Sequence, residues 1–176
     1  WYYQAGTPKV YINQSWNSKT STLNVSFEQK LDNYSNNKNK EMVIPILYSF
    51  YSKRNPSKPL IEDRLFVLDK YKKNLEIKDL DCGKEPPVLS IFRGFSAPVI
   101  WETDLSIDDY LFLFLNDNDY FTRWDSGQYL MRKIIKSRID NQLDSVLEDR
   151  FNNVIKKSMM NPESQDTFFL ATLISL

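Results

Sequence analysis

Pro86-Pro87-Val88-Leu89-Ser90-Ile91-Phe92-Arg93-Gly94-Phe95-Ser96-Ala97-Pro98-Val99 divides a chain of 176 residues into two parts of different periodicity. Before it, apolar residues mostly alternate; after it, they recur every three or four positions. Alternation buries one face of a strand and the longer period buries one face of a helix, so this stretch marks the passage from a sheet to a set of helices. Arg93 and Gly94 interrupt its apolar run. A charge there is expected to meet a carboxylate or backbone carbonyls, and the glycine to permit a backbone angle that other residues resist. With Phe95 and Pro98 they are expected to build a seam that holds two domains, 1–102 and 103–176, in fixed orientation.

Upstream, strand chemistry occurs at 10–13, 22–29, 42–51, 65–70, 74–78, 88–92 and 98–102. Leu23, Val25 and Phe27 fall on one face of the second run, and Asn24, Ser26 and Glu28 on the other, the pattern of a half-buried antiparallel strand. Polar or Pro- and Gly-containing loops are expected at 33–40, 52–58 and 79–87. About seven short strands over roughly 100 residues predict an all-β immunoglobulin-like sandwich, without the usual Cys-Trp-Cys signature.

Downstream, Ser106 followed by Ile107-Asp108-Asp109 reads as a helix start, with a capping hydroxyl and first-turn acids. The helix it opens, through Tyr110, Leu111, Leu113, Phe114 and Leu115, is apolar enough to need burial on several sides. Asn116-Asp117-Asn118-Asp119 offers a second cap. Beyond it Phe121, Trp124, Met131 and Ile135 share a face, with Gln128 in line and Ile134 beside it. Arg123, Trp124 and Asp125 are expected to fix this second helix, where truncating a buried indole costs about 3–5 kcal/mol. A third helix is expected over about 143–158 and a fourth after Asn161-Pro162. Short connections between successive helices predict an all-α segment, the start of a helical repeat or superhelical domain.

Composition narrows function. Apolar residues make up 41% of the chain and aromatics 14%, enough for real cores. Lys plus Arg equals Asp plus Glu at 23 each, so no global field draws nucleic acid or an anionic membrane. No stretch approaches the roughly 20 apolar residues of a membrane span. The single cysteine, Cys82, makes no intrachain disulfide, which fits a reducing, cytoplasmic setting. Asn13, Asn24 and Asn33 head glycosylation patterns that a chain rich in Asn and Ser produces by chance. Trp1 in place of methionine and the apolar run from Thr167 to Leu176 make both ends look cut.

The chain has no histidine. A serine or cysteine triad in its usual version is therefore impossible, and the common hydrolase zinc sites lose their main ligands. The carboxylate pairs Asp79/Asp81, Asp108/Asp109 and Asp117/Asp119 stand where turns and caps belong. Cys82 reads as a spectator thiol, with only Lys84 near it as a positive neighbour in sequence. The basic stretches Lys38 to Lys40, Lys53-Arg54 and Lys70 to Lys73 read as solvated loops, although Tyr34, Tyr51 and Tyr71 lie near enough to serve as stacking platforms.

Three segments carry a family resemblance. Trp1-Tyr2-Tyr3-Gln4-Ala5-Gly6-Thr7-Pro8 resembles a Trp-x-x-Gln-x-Gly-Thr-Pro motif. Leu89 to Val99 resembles a segment ending Phe-Ser-Ala-Pro-Val. Asp119 to Gln128 resembles an Asp/Asn-x-Phe-x-Arg-Trp-Asp-x-x-Gln helix. Motifs, order and spacing are those of the aminopeptidase N family of zinc metallopeptidases. The resemblance implies the immunoglobulin-like domain and the first helices of the C-terminal domain, in a longer polypeptide whose zinc lies in a separate catalytic domain. The family's H-E-x-x-H and Gly-x-Met-Glu-Asn motifs do not occur here, so no catalytic or metal residue carries over. The implied role is noncatalytic: spacing and orienting a helical cap over the active site, with the parent's catalytic and remaining helical domains as partners. The alternatives are a standalone sandwich that binds a peptide or protein, and a histidine-free enzyme that uses carboxylates.

Overall fold

A computed structural model describes residues 6–31, 41–142 and 144–160. The chain divides into two compact units, Trp1–Asp104 and Leu105–Leu176. The first is a sandwich of β1 (Lys9–Asn17), β2 (Thr22–Lys30), β3 (Ile44–Ser52), β4 (Asn55–Leu68), β5 (Lys72–Ile77), β6 (Val88–Ile91) and β7 (Ile100–Thr103). A four-stranded sheet has the order β5-β2-β1-β7, and a three-stranded sheet the order β4-β3-β6. All pairs are antiparallel except β1 with β7.

Alternation decides which residues fill the space between the sheets. Val10 and Ile12 of β1 and Leu23, Val25 and Phe27 of β2 are buried, as are Ile44, Ile46 and Phe50 of β3. Phe27 stacks on Phe66 with ring centroids 4.7 Å apart. At one end, Gln29 copies a backbone unit with its side chain. Its Nε2 donates to the Met42 and Lys70 carbonyls at 2.9 and 3.0 Å, and its Oε1 accepts the Met42 N–H at 2.9 Å. Three backbone groups with no ladder partner there are thereby satisfied.

Every expected strand is present, and one expected loop is not. The loop placed at 52–58 shrinks to a turn at Lys53-Arg54, and β4 already begins at Asn55. Pro56 fits there because β4 is an edge strand and a proline on an open edge forfeits no ladder bond. Register shifts between Tyr48 and Ser52 let the long strand bend around its partner. The expected loop at 33–40, and Asn33 and Tyr34 within it, lie outside the described residues.

The second unit holds α1 (Ile107–Asn116), α2 (Tyr120–Ile139) and α3 (Ser145–Met160). Ser106 and Asp109 form a capping box: the Asp109 N–H donates to Ser106 Oγ at 3.2 Å, and the Ser106 N–H to Asp109 Oδ2 at 2.9 Å. Asp119 Oδ2 accepts the Thr122 N–H at 2.8 Å, and Asp144 Oδ1 the Leu147 N–H at 2.9 Å. The third helix thus begins two residues after Leu143, which is outside the described residues, as are the motif residues Trp1 to Ala5 and the expected fourth helix.

The buried stripe of α2 meets the expected one only at Gln128 and Ile134. Thr122, Ser126, Leu130 and Ile134 are buried, whereas Phe121, Trp124 and Met131 are half-buried and Ile135 is 41% exposed. Small side chains at i and i+4, Thr122 and Ser126, let a neighbouring helix approach closely, and a search for the largest apolar residues overlooks such a stripe.

Candidate functional site

The residues singled out at the expected seam lie between β6 and β7, inside the first unit. Arg93–Phe95 forms a short 3-10 turn. Phe92, Gly94 and Phe95 all have positive φ, at +52°, +59° and +55°. For a residue with a Cβ this conformation costs roughly 1–2 kcal/mol. At Phe92 the cost is offset by packing, because its ring is fully buried and 4.8 Å from that of Trp101. Phe95 is 53% exposed.

Arg93 is 2% exposed. Its Nη1 donates to Ser90 Oγ at 2.8 Å. Its Nε lies 2.8 Å from Asp63 Oδ1, an ion pair by distance whose N–H direction falls short of a hydrogen bond. The carboxylate that Arg93 meets is thus on β4, within the same unit. Asp63 was not legible, since it stands thirty positions away and only the pairing of β3 with both β4 and β6 brings it near. Ser96 Oγ accepts the Leu47 N–H at 3.0 Å where β6 has ended, and Pro98 is exposed.

In the second unit, Arg123 ties the three helices together. Its Nε donates to the Phe114 carbonyl at 3.1 Å, and its Nη2 to Ser158 Oγ at 3.1 Å. Phe114 is in the last turn of α1, where carbonyls lack intrahelical donors and a cation is favoured by the helix dipole. Burial lowers the Arg123 pKa, with Tyr120 and Asp117 opposing the shift. Trp124 packs against Phe121 with centroids 5.9 Å apart. Burial pushes the Asp125 carboxyl up to about 6, with Arg132 pulling the other way.

The remaining candidates take structural roles. Asp109 and Asp119 are caps, Asp117 Oδ1 accepts the Asp119 N–H, Asp108 pairs with Arg150, and Asp79 occupies a positive-φ turn. Burial, then Asp81, pushes the Cys82 thiol up to about 11. Its cationic neighbour is Arg54 rather than Lys84, and the Arg54 guanidinium lies so close to Gly83 that a Cβ there would sit 2.3 Å from it. Tyr51 is buried and offers no ring face for stacking, whereas Tyr71 is 49% exposed with its hydroxyl donating to Glu28 Oε1 at 2.6 Å. Asn13 and Asn24 are exposed on β1 and β2.

These side chains do not fit a zinc ion. Among the described residues no three His, Cys, Asp or Glu groups converge, and the only thiol is buried in its protonated form. Nor is any helix among them long and apolar enough to cross a membrane. What the arrangement does chemically is tie elements together, through Arg93 in the first unit and Arg123 in the second.

Residues 6–104 match the family described as "Domain of unknown function (DUF3458) Ig-like fold", and residues 107–176 match its companion described as "ARM repeats". Aminopeptidase N of Caulobacter vibrioides is 40% identical over 96 residues, which are 54% of this chain and 11% of that protein. Aminopeptidase N of Haemophilus influenzae is 25% identical over 146 residues, 79% of this chain and 16% of that protein. The crystal structure of Legionella pneumophila aminopeptidase A in complex with aspartic acid shares the fold, with a TM-score of 0.80 at 22% identity, covering 98% of this chain and 19% of that one. The chain thus spans between about a tenth and a fifth of the length of these relatives. By its matched domains and its relatives, the chain belongs to the aminopeptidase N family, within which it covers an immunoglobulin-like sandwich and the helices that follow.

Proposed function

We propose that this chain is a noncatalytic part of a cytoplasmic, zinc-dependent aminopeptidase that removes N-terminal residues from peptides. Its partners are the catalytic and remaining helical domains of the same polypeptide, and its task is to space and orient the helical segment as a cap over the active site. The 40% identity to an aminopeptidase N carries the reading. The side chains agree with it, because Arg93 joins β4 to the turn after β6 through Asp63 and Arg123 joins α2 to the end of α1. A rigid spacer needs such clamps and no reactive group.

The test compares the product of the whole coding region with the 176-residue chain. Both are assayed on aminoacyl anilides, with and without a zinc chelator. The longer product is expected to hydrolyse them until chelated, and the shorter chain to be inert. Hydrolysis by the shorter chain that survives chelation would sink the proposal, as would an inert longer product. The orienting role has its own readout: Arg93→Met in the longer product should change the preference between short and long peptides more than it changes turnover of a single aminoacyl anilide.

A further inference from the structure

Tyr110 of α1 and Tyr129 of α2 stack with ring centroids 3.8 Å apart and planes 16° from parallel. Aromatic pairs usually keep their centroids roughly 4.5–7 Å apart. In the same unit, Phe114 and Phe151 stand at 5.4 Å, and Phe121 and Trp124 at 5.9 Å. At 3.8 Å two nearly parallel rings touch carbon on carbon. The helices hold them there. Tyr110 is 7% exposed, and its N–H donates to the Ser106 carbonyl at 3.1 Å in the capped first turn of α1. Tyr129 is half-buried beside fully buried Leu130, and the Lys133 ammonium lies 5.5 Å from its ring centroid.

We propose that Tyr110 and Tyr129 form a site of oxidative cross-linking, at which two equivalents of a one-electron oxidant join α1 to α2 through a carbon–carbon bond. The first equivalent takes an electron from one ring, and the phenolic proton leaves to water. The phenoxyl radical that remains carries spin on the carbons ortho to its oxygen. Once the second equivalent has done the same to the neighbouring ring, two ortho carbons join, and the hydrogen on each moves to its own oxygen to restore both phenols. The balance is one carbon–carbon bond gained, two carbon-bound hydrogens displaced, and two protons and two electrons given up. In free solution the radicals must first find each other, whereas here the stack supplies their encounter. Half-buried Tyr129 is the point of attack, and ring contact carries the oxidation to Tyr110. The Lys133 ammonium disfavours positive charge on the oxidised ring and so favours release of its proton. The site needs no other activity of the chain and stands apart from the peptidase reading.

Photolysis of a ruthenium tris-bipyridine complex with persulfate, which takes the electrons and ends as sulfate, tests this on the dilute 176-residue chain, followed by proteolysis and mass spectrometry. The expected product is a pair of peptides joined through residues 110 and 129, two hydrogens lighter than its parts, and at least about tenfold more abundant than any other tyrosine link. Exposed Tyr71 and Tyr120 are the internal comparison. Exposed Met159 and Met160 take up oxygen and gain mass, so their oxidation is not mistaken for the link. Tyr110→Phe and Tyr129→Phe keep the ring and remove the phenol, and each should abolish the link, as should unfolding in urea before photolysis. If either variant loses its helical circular dichroism, the comparison of folded with unfolded chain decides alone. Links through Tyr71 or Tyr120 without the 110–129 link overturn the proposal. An equal yield of the 110–129 link from the unfolded chain overturns it as well, and so does oxygen uptake by the two rings in place of joining.

Discussion

Each unit holds an arginine away from water, Arg93 buried and Arg123 half-buried, and the two are held differently. Arg93 in the sandwich faces a carboxylate, Asp63, whose own side chain is 47% exposed. Arg123 in the helical unit donates to a helix-end carbonyl and a serine hydroxyl, and its pKa is lowered by burial. The sandwich can use an ion pair because an edge strand holds one partner at the water boundary, where solvation is kept. The helical unit adds the partial charge of the α1 C-terminus to the favourable field of Tyr120 and Asp117. The difference teaches that an arginine drawn out of water, wholly or in part, can rest on sequence-distant strand pairing in one fold and on a local helix end in another.

The largest expected effect comes from breaking the first arrangement on its exposed side. Asp63→Ala leaves Arg93 buried without its carboxylate and should cost about 3–5 kcal/mol, whereas Arg93→Met, which leaves Asp63 free to rehydrate, should cost less. Urea unfolding of both variants decides the matter. If Arg93→Met proves the more damaging, packing of the side chain rather than its charge is what the turn requires.

Second in size is a stabilisation in the helical unit. The Asp125 carboxyl titrates near 6 when folded, above its ordinary value of 3.8, so the folded state binds the proton more tightly than the unfolded state does. Stability from this group is therefore greatest below about 4, declines as the pH rises from about 4 to 6, and is lowest above that window. Asp125→Asn should then stabilise the unit by about 2–3 kcal/mol at pH 7.5 and by little at pH 4. Equal effects at the two pH values would show that the carboxyl is better solvated than its position in α2 indicates.

Trp124→Ala comes next, at about 1–2 kcal/mol, because the indole is half-buried and a fully buried one would cost more. Thermal unfolding followed by far-ultraviolet circular dichroism provides the check. A loss of 4 kcal/mol or more would mean that the larger apolar stripe of α2 is a true core face after all.

What could be read in advance follows the range of the interactions. Strand positions and helix caps depend on neighbours one to four residues apart, and Leu23, Val25 and Phe27 or Ser106 and Asp109 declare themselves at that range. Clamps do not: Asp63 meets Arg93, and Gln29 meets Met42 and Lys70, only after strands have paired. The buried stripe of α2 was hidden for another reason. Thr122 and Ser126 are selected for small size rather than apolarity, so hydropathy points to the neighbouring face. Of the turn at 92–95, Gly94 was readable because glycine tolerates positive φ, but Phe92 and Phe95 were not, since aromatics ordinarily avoid it.

That turn supports the smallest prediction and the cleanest one. A Cβ built on Gly94 meets nothing within 4 Å, so Gly94→Ala adds no clash and changes only the backbone preference at φ +59°. Its cost should be about 1 kcal/mol, the price of a left-handed conformation in an L-residue. Phe95→Gly, with nearly the same φ and an exposed ring, should stabilise the isolated chain by a similar amount. If Phe95 is kept for a contact made in the longer gene product, the sign reverses there, where losing the ring removes contact as well as strain. Urea midpoints of the two variants in both proteins separate the cases: a gain in both leaves Phe95 a strained bystander, whereas a gain in the shorter chain and a loss in the longer one identify strain kept for the sake of the contact.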